Sequence, residues 1–322
     1  MPPQANIEIG LNAAIVSVSD GQPNILVTRE GEKWDALPYG PFSPIDHRTL
    51  DIGLRNWVRE QTGLELDYVE QLYTFGDRGR HAQRDDTAPH IVSVGYLALI
   101  TEDLPTSLEA ASFARWYGYL PWEDWRNGKP GILSSEIEPR LKNWAEKPDL
   151  DDTHLSALTR PERLRICFAM EGDDWDEEKV LERYELLYEA GLVAEAMRDG
   201  HSAARQWENL RQIGRPMQFD HRRVLATAMS RLRGKLKYRP VIFELLPDTF
   251  TLFELQKIVE AILGHHLHKQ NFRRLVENAG LVESTGDVST QTGGRPAKLF
   301  RFRRNVLLER PSTGVRMKGG SG

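Results

Sequence analysis

Along the first 125 residues, apolar and polar positions follow the patterns of strands interrupted by one helix. Alternation and runs of aromatic and β-branched side chains predict four strands, over 9–18, 24–29, 66–75 and 90–100. Asp20-Gly21 lies between the first two strands and favours a two-residue hairpin turn. Between the second and third strands, Leu50, Leu54 and Val58 recur at helical spacing, and Gly63 ends that helix. Strands on both sides of one helix predict an α+β domain and not an alternating parallel sheet.

From residue 133 the hydrophobic spacing becomes helical. An apolar residue recurs every three to four positions and predicts a helix over 133–147, for which Ser135 and Glu138 form a capping box. The stretch 148–219 that follows is acidic and helical in its pattern. A mostly helical middle region is therefore expected after the strand-rich part.

The pattern changes again at residue 220. Asp220 begins a predicted helix that ends at Gly234, and two further helices are predicted over 251–263 and 269–278. A polar, glycine-containing loop then joins two short predicted strands, 281–284 and 298–302. Two helices, a short turn and a β-hairpin are the element order of a winged helix-turn-helix.

Charge is segregated between two parts of the 322-residue chain. Residues 220–322 hold 19 Lys and Arg against 9 Asp and Glu, a net charge of +10, whereas the other 219 residues hold 23 against 38, a net charge of −15. A basic segment on an acidic body predicts a polyanionic partner such as nucleic acid, against the alternative of an ordinary solvated surface. The one cysteine, Cys167, excludes an internal disulfide bond and a cysteine-cluster zinc site.

Membrane and export signals are not evident in the sequence. No apolar run reaches the ~18–20 residues that a membrane-spanning helix needs. The first ten residues lack the basic stretch and apolar core of a secretion signal. We therefore expect a cytoplasmic protein with no membrane partner.

The polar face of the second winged-helix helix is the predicted DNA-reading element. It offers side chains that can bond to base edges or phosphates, namely Lys269, Gln270, Asn271, Arg273 and Arg274. The hairpin adds Lys298 and Arg295, and the glycines before Arg295 allow close approach of the backbone to DNA. The histidines in the turn before this helix are expected to be turn or phosphate-contact residues and not metal ligands, because no Cys or carboxylate lies at a usual ligand spacing.

The segment 37–63 resembles the Nudix signature, in which a loop–helix–loop presents glutamates that hold divalent ions against a pyrophosphate. Hard oxygen ligands must gather around such a metal. Anchored on the final glycine, the signature's Arg–Glu pair falls on Asn56 and Trp57, and its Glu–Glu pair falls on Glu60 and Gln61. The resemblance implies a Nudix-like fold with a degenerate metal site, in which Glu60 is a residual carboxylate and no catalytic or metal-binding residue is assigned.

Segments at both ends of the chain sharpen this resemblance. QLYTFGDRGR (71–80), NFRRLVENAGLVE and GGRPAKLFRF are similar to parts of the Nudix-related transcriptional regulators of NAD metabolism. In that family a Nudix-like domain, often catalytically inactive, binds ADP-ribose or a related nucleotide, and the winged helix of a dimer binds an operator. The resemblance implies an effector site that combines aromatic stacking with arginine charge, with the candidates Phe75, Asp77, Arg78, Arg80, Arg29 and Trp34.

These observations predict four parts: a degenerate Nudix-like effector domain (1–147), an acidic helical linker or insert (148–219), a winged helix (220–309) and a disordered tail (310–322). We expect a homodimeric, ADP-ribose-responsive repressor of genes for NAD or nucleotide-cofactor metabolism, with no required cofactor and double-stranded operator DNA as its partner. The alternatives are an active Nudix-type hydrolase with an accessory basic domain, and an interaction scaffold that does not bind DNA. The sequence leaves open whether 148–219 enlarges a dimer interface or adjusts domain geometry.

Overall fold

A computed structural model describes residues 7–29, 33–77, 89–101, 110–147, 158–207, 212–238, 240–289 and 296–303. Its N-terminal strands are β1 Ile7–Ser19, β2 Gln22–Thr28, β3 Tyr39–Pro41, β4 Tyr68–Phe75, β5 His90–Leu99 and β6 Ala111–Arg115. They form one sheet in the order β4-β5-β1-β2-β6, with β3 also paired to β1. β1 and β5 run parallel, and the other neighbours are antiparallel. The predicted α+β class and its strands are confirmed.

Strand β1 is the middle strand of the sheet, and both of its faces are covered. The odd-numbered apolar positions of 11–15 pack against Leu54 and Val58 of helix α1 (Leu50–Thr62). The even-numbered apolar positions of 14–18 face a second, larger cluster on the opposite side. This period of two puts α1 on one face of the sheet and the remaining helices on the other.

The middle of the chain supplies α2 Glu138–Ala145, α3 Arg160–Phe168, α4 Val180–Glu189 and α5 Ala194–Arg198. A π-helical turn over 133–137 precedes α2. The predicted capping box of Ser135 and Glu138 is therefore wrong, because Ser135 lies inside a helical segment that already begins after Pro130. Apolar side chains of α2, α3 and α4 join the larger cluster beneath the sheet.

Helix α6 (His221–Tyr238) crosses this cluster and contacts the sheet. The prediction that it ends at Gly234 is wrong, since four more helical residues follow. A Cβ at position 234 would lie 3.0 Å from the Glu178 carboxylate, so the missing side chain allows a close approach at this point. The apolar side chains Val224, Leu225, Met229 and Leu232 are fully buried.

The C-terminal elements are α7 Leu252–Leu263, α8 Lys269–Ala279, β7 Val282–Ser289 and β8 Ala297–Phe302. Thr251 and Glu254 form a capping box at the start of α7, and Gly264 and Gly280 end α7 and α8 in the left-handed conformation. The first hairpin strand is longer than predicted and continues to Ser289. The predicted winged helix is confirmed.

Two remaining expectations concern the chain as a whole. The predicted tail lies outside the described residues. Among the residues that are described, no helix combines the length and the apolar character that spanning a membrane requires.

Candidate nucleic-acid interface and nucleotide cleft

Helix α8 is anchored by one face and presents the other to solvent. Phe272 and Val276 are 2% and 0% exposed and fix the helix to the core. All five residues predicted to read DNA are exposed, namely Lys269, Gln270, Asn271, Arg273 and Arg274. The first turn carries no acidic residue, and the amino end of a helix is itself positive. This face therefore attracts phosphate and offers donors and acceptors to base edges.

The turn between α7 and α8 is held by a carboxylate. The Leu267 N–H donates to Glu260 at 2.9 Å, and His266 Nδ1 lies 2.9 Å from the other oxygen of that carboxylate. Burial opposes the effect, but these two contacts hold the pKa of Glu260 below its ordinary range. His266 thus has the turn role that the sequence predicted. In the described part of the chain, no three His, Cys, Asp or Glu residues cluster as metal ligands.

The structure describes one of the two DNA-binding residues predicted on the β7–β8 hairpin. Lys298 is exposed on β8, opposite Val288 of β7. Arg295 lies outside the described residues. The backbones of Phe250 and Phe300 exchange two hydrogen bonds, of 2.9 and 2.8 Å, which attach the hairpin to the start of α7.

A buried ionic cluster joins the sheet end, the middle helices and the winged helix. The Glu123 carboxylate accepts hydrogen bonds from Arg183 at 2.7 and 2.8 Å and from Arg233 at 2.7 Å, and all three side chains are completely buried. Burial alone would raise the pKa of Glu123, but the two guanidinium groups hold it below its ordinary value of 4.5. Arg233 also donates to the Ile262 carbonyl at 2.9 Å. At Gly264 a Cβ would lie 2.4 Å from the Glu123 carbonyl, so only glycine fits.

Much of the basic charge of α6 is used inside the protein. Its cations pair with acidic residues that lie earlier in the chain: Arg222 with Glu195, Arg223 with Asp77 and Glu185, Arg233 with Glu123, Lys235 with Glu70, and Lys237 with Glu177 and Glu178. Acidic residues of the N-terminal part and of the middle region thus neutralise these cations of α6. The charge excess of residues 220–322 overstates the charge available to an external polyanion.

The degenerate Nudix positions of α1 serve packing. Trp57 Nε1 donates to the Pro41 carbonyl at 2.9 Å, and its ring fills the space that a Cβ at Gly40 would need. Gln61 accepts from the Tyr39 N–H at 3.0 Å and donates to the Tyr39 carbonyl at 2.6 Å. An indole and an amide that are bonded to β3 do not fit a divalent metal ion, which takes several carboxylate oxygens.

Two predicted effector residues lie beside α6. Phe75 is 2% exposed, with the Arg223 guanidinium 4.4 Å from its ring centre. Asp77 forms an ion pair with the same Arg223. The structure does not bring Phe75 and Asp77 to the cleft described next, and Arg78 and Arg80 lie outside the described residues.

The other two predicted effector residues, Arg29 and Trp34, line one open cleft of about 430 Å³. Arg29 is 54% exposed and pairs with the buried carboxylate of Asp35, which also accepts from Arg215 and from the Tyr119 hydroxyl, each at 2.6 Å. Burial and the bond to Asp35 raise the pKa of Tyr119, which keeps its hydroxyl a donor. Two exposed arginines on one carboxylate leave a net positive charge at the cleft, which suits a phosphate.

A second cleft of about 450 Å³ adjoins the first and shares Tyr39 and Phe219 with it. The rings of Tyr39, Phe219 and His221 lie 5.1 to 5.3 Å apart in edge-to-face arrangement. The Leu37 N–H donates to His221 Nδ1 at 3.0 Å, so the proton of the neutral imidazole is on Nε2. Phosphate-binding charge and aromatic surface thus meet at one open groove.

Sequence reasoning missed Arg215, Phe219 and His221. They lie about 180 positions from the 35–39 segment that they contact, and no motif links the two. The local signal was an aromatic residue directly before the predicted helix start at Asp220. That signal is too common to indicate a site.

Comparison with known proteins adds independent information. Residues 242–302 match the family model of the NrtR DNA-binding winged helix domain. The ADPR responsive transcriptional repressor NtrR of Acinetobacter baylyi is 45% identical over 103 residues, which cover 32% of this chain and 41% of that protein. The chain thus matches less than half the length of this relative.

Solved structures share the fold across most of the chain. The crystal structure of Shewanella oneidensis NrtR covers 92% of this chain and 94% of its own, with a TM-score of 0.54 and 20% identity. The same protein complexed with a 27mer DNA gives a TM-score of 0.50 at 21% identity over 92% and 94%. A MutT/nudix family protein from Enterococcus faecalis gives 0.52 at 14% identity over 94% and 89%.

The resemblance inferred from the sequence is therefore confirmed at the level that each comparison supports. At 14–21% identity the solved structures establish the shared fold, a Nudix-like sheet followed by helices and a winged helix. For residues 242–302, the sequence also matches a family model. Residues 242–302 match the NrtR DNA-binding winged helix domain, and the chain shares its overall fold with S. oneidensis NrtR.

Proposed function

We propose that this protein is a transcriptional repressor that binds operator DNA through α8 and whose DNA binding responds to ADP-ribose. The observation that carries the proposal is the exposed basic face of α8 within a winged helix of the NrtR type. The named function of the A. baylyi relative supports both the repressor role and the ADP-ribose response. The DNA complex of S. oneidensis NrtR supports the DNA-binding role.

We propose that the effector site is the groove between the sheet and the segment before α6. Arg29 and Trp34 of the predicted effector set line it, and Arg215, which pairs with the same Asp35 as Arg29, adds a second exposed guanidinium nearby. A phosphate-binding charge beside aromatic surface suits a nucleotide with a pyrophosphate. Phe75 and Asp77 are then residues that hold α6 and do not contact the effector.

We propose that the Nudix-like domain is catalytically inactive and that the regulator acts as a homodimer in the cytoplasm, where operator DNA and nucleotides occur together. The donor set of α1 supports inactivity, because Trp57 and Gln61 are bonded to β3 and only Glu60 remains a carboxylate at the signature positions. Dimerisation is what two half-sites about one DNA turn apart require of a winged helix protein. NAD or nucleotide-cofactor genes are the proposed targets.

A mobility-shift experiment on the DNA upstream of the protein's own gene and its neighbours tests the proposal. We expect specific retardation that ADP-ribose alters. The same preparation, incubated with ADP-ribose and Mg²⁺, is expected to release no AMP. Metal-dependent release of AMP without specific DNA binding would favour the hydrolase instead, and neither activity would favour a scaffold.

A further inference from the structure

The groove between the sheet and the helices is closed on one side by the segment that begins α6. Phe219 stands between the two clefts and lines both. Its ring is half-buried against Tyr39, which is 38% exposed. A ligand that occupies either cleft therefore contacts the residue that directly precedes Asp220 and α6.

The backbone at Phe219 is unusual. Its φ is +48°, in the left-handed region that side chains with a Cβ rarely adopt. Neighbouring bonds impose this conformation: the Arg198 guanidinium donates to the Phe219 carbonyl at 2.8 Å, and the Gln218 N–H donates to the Asp35 carbonyl at 2.9 Å. A strained residue held in place at the wall of a cleft is a candidate for a position that moves when a ligand enters.

Asp35 links this segment to the phosphate-binding charge. Its carboxylate holds Arg29 and Arg215, while its carbonyl holds Gln218. A phosphate that draws either arginine away from Asp35 therefore changes the contacts of the residue that holds the Gln218 backbone. A planar base stacked on Phe219 acts on it from the groove itself.

Helix α6 connects this wall to the DNA-binding elements. Its 18 residues span about 27 Å at 1.5 Å per residue. Near its other end, Arg233 donates to the carbonyl of Ile262, in the last turn of α7, and Gly264 follows beside the Glu123 cluster. The turn that orients α8 begins there. One continuous helix thus has its first turn at the groove and its last turns against the winged helix.

We propose that Phe219 couples effector binding to DNA binding: its ring stacks on the planar base of the nucleotide, and its backbone transmits that contact to the first turn of α6. This inference rests on the proposed function and specifies how the site is regulated. Coupling of this kind requires that the nucleotide bind unequally to the two placements of α6.

The test compares Phe219→Ala, Phe219→Tyr and Tyr73→Ala in the full chain. Tyr73 is an exposed ring, 59% accessible on β4, that lines neither cleft. ADP-ribose affinity is measured by calorimetry. Coupling is measured as the ratio of operator dissociation constants with and without ADP-ribose, and hydrogen exchange of 217–238 is followed in both states.

For Phe219→Ala we expect at least tenfold weaker ADP-ribose binding and a coupling ratio within twofold of one even at saturating ADP-ribose. Phe219→Tyr and Tyr73→Ala are expected to retain the wild-type ratio. ADP-ribose should change exchange over 217–238 in the wild type and not in Phe219→Ala. If the alanine variant fails to fold, Phe219→Leu, which keeps apolar volume without an aromatic face, replaces it with the same expected effects.

Two results would overturn the proposal, and they differ from failure of the proposed function. A wild-type response to ADP-ribose that Phe219→Ala or Phe219→Leu retains in full would overturn this inference alone. An equal reduction in Tyr73→Ala would do the same, because the effect would not depend on the groove. A wild-type protein whose operator binding ignores ADP-ribose would overturn the proposed function and this inference together.

Discussion

Helices α6 and α8 both lie in the basic third of the chain, yet their cations have opposite uses. Arg222 and Arg233 of α6 are 0% exposed and are bonded to Glu195 and Glu123. Arg273 and Arg274 of α8 are exposed, and among the described residues neither forms an ion pair. Net charge along a sequence therefore does not distinguish cations that hold a fold from cations that meet a ligand. Burial and acidic partners distinguish them.

The comparison also explains the acidic middle region. Glu177, Glu178, Glu185 and Glu195 all pair with α6. Opposite charges on 158–207 and α6 are thus complementary surfaces of one packed body, which the charge segregation alone did not indicate. The domain boundaries remain predictions, and α6 contacts both the sheet and α7.

The largest expected effect comes from removing the carboxylate that pairs with Arg233 of α6. Glu123→Ala leaves Arg183 and Arg233 buried without a carboxylate, which is expected to lower the free energy of unfolding by about 3–5 kcal/mol. Urea denaturation at neutral pH measures it. A decrease below about 1 kcal/mol would show that the cluster is not structural.

The role of α8 is tested by combining Arg273→Ala with Arg274→Ala. Two DNA-binding side chains worth about 1–3 kcal/mol each are removed, so operator affinity should fall by at least about 30-fold while stability stays within about 0.5 kcal/mol. Fluorescence anisotropy with the retarded DNA fragment gives the affinity.

Lys235→Ala is the matched control for these variants. It also removes positive charge from the basic third, but Lys235 pairs with Glu70. Operator affinity is expected to stay within about threefold of wild type, since a paired cation on α6 does not reach the DNA. Equal weakening in Lys235→Ala and the α8 variant would erase the distinction between the two helices.

Acid should weaken the ion pairs that hold α6. The folded state lowers the pKa of Glu123 from 4.5, so its contribution is complete above the unfolded pKa and is lost as the pH falls through the folded value. Burial would raise the pKa of Glu177, but hydrogen bonds, one of them from Lys237, lower it overall. Protonation of Glu177 at low pH therefore destabilises the fold as well. We expect the free energy of unfolding to decline below pH 4.5, and less steeply in Glu123→Gln. Parallel declines in both proteins would assign the acid sensitivity elsewhere.

The smallest expected effect is that of Glu60→Gln. Glu60 is exposed on α1, beside positions whose side chains pack against β3, so ADP-ribose affinity and stability should both stay within experimental error. Calorimetry with and without Mg²⁺ measures the affinity. A large reduction that depends on Mg²⁺ would restore a metal site to the Nudix-like domain.

Local signals in the sequence predicted most of the fold. Asp20-Gly21, Gly63 and the spacing of α8 each depend on neighbouring residues, and each was confirmed. The predicted end of α6 was wrong. Gly234 has a low helix propensity, but α6 continues through it, and the missing side chain leaves room for Glu178.

The candidate sites were less predictable, because they join distant residues. The Glu123 carboxylate meets arginines 60 and 110 positions away, and His221 bonds to Leu37 across 184 positions. Family resemblance suggested Arg29 and Trp34 as effector residues, and the structure places both at one cleft. It also selected Phe75 and Asp77, which α6 covers and binds, since sequence similarity does not show which element packs over a strand end.

The salt dependence of operator binding shows whether α8 contacts the DNA phosphates. Removing one phosphate-binding cation should reduce the slope of log affinity against log salt by about 0.9. We expect a shallower slope for Arg273→Ala with Arg274→Ala and the wild-type slope for Lys235→Ala. An unchanged slope in the α8 double variant would contradict the claim that this helix binds the operator.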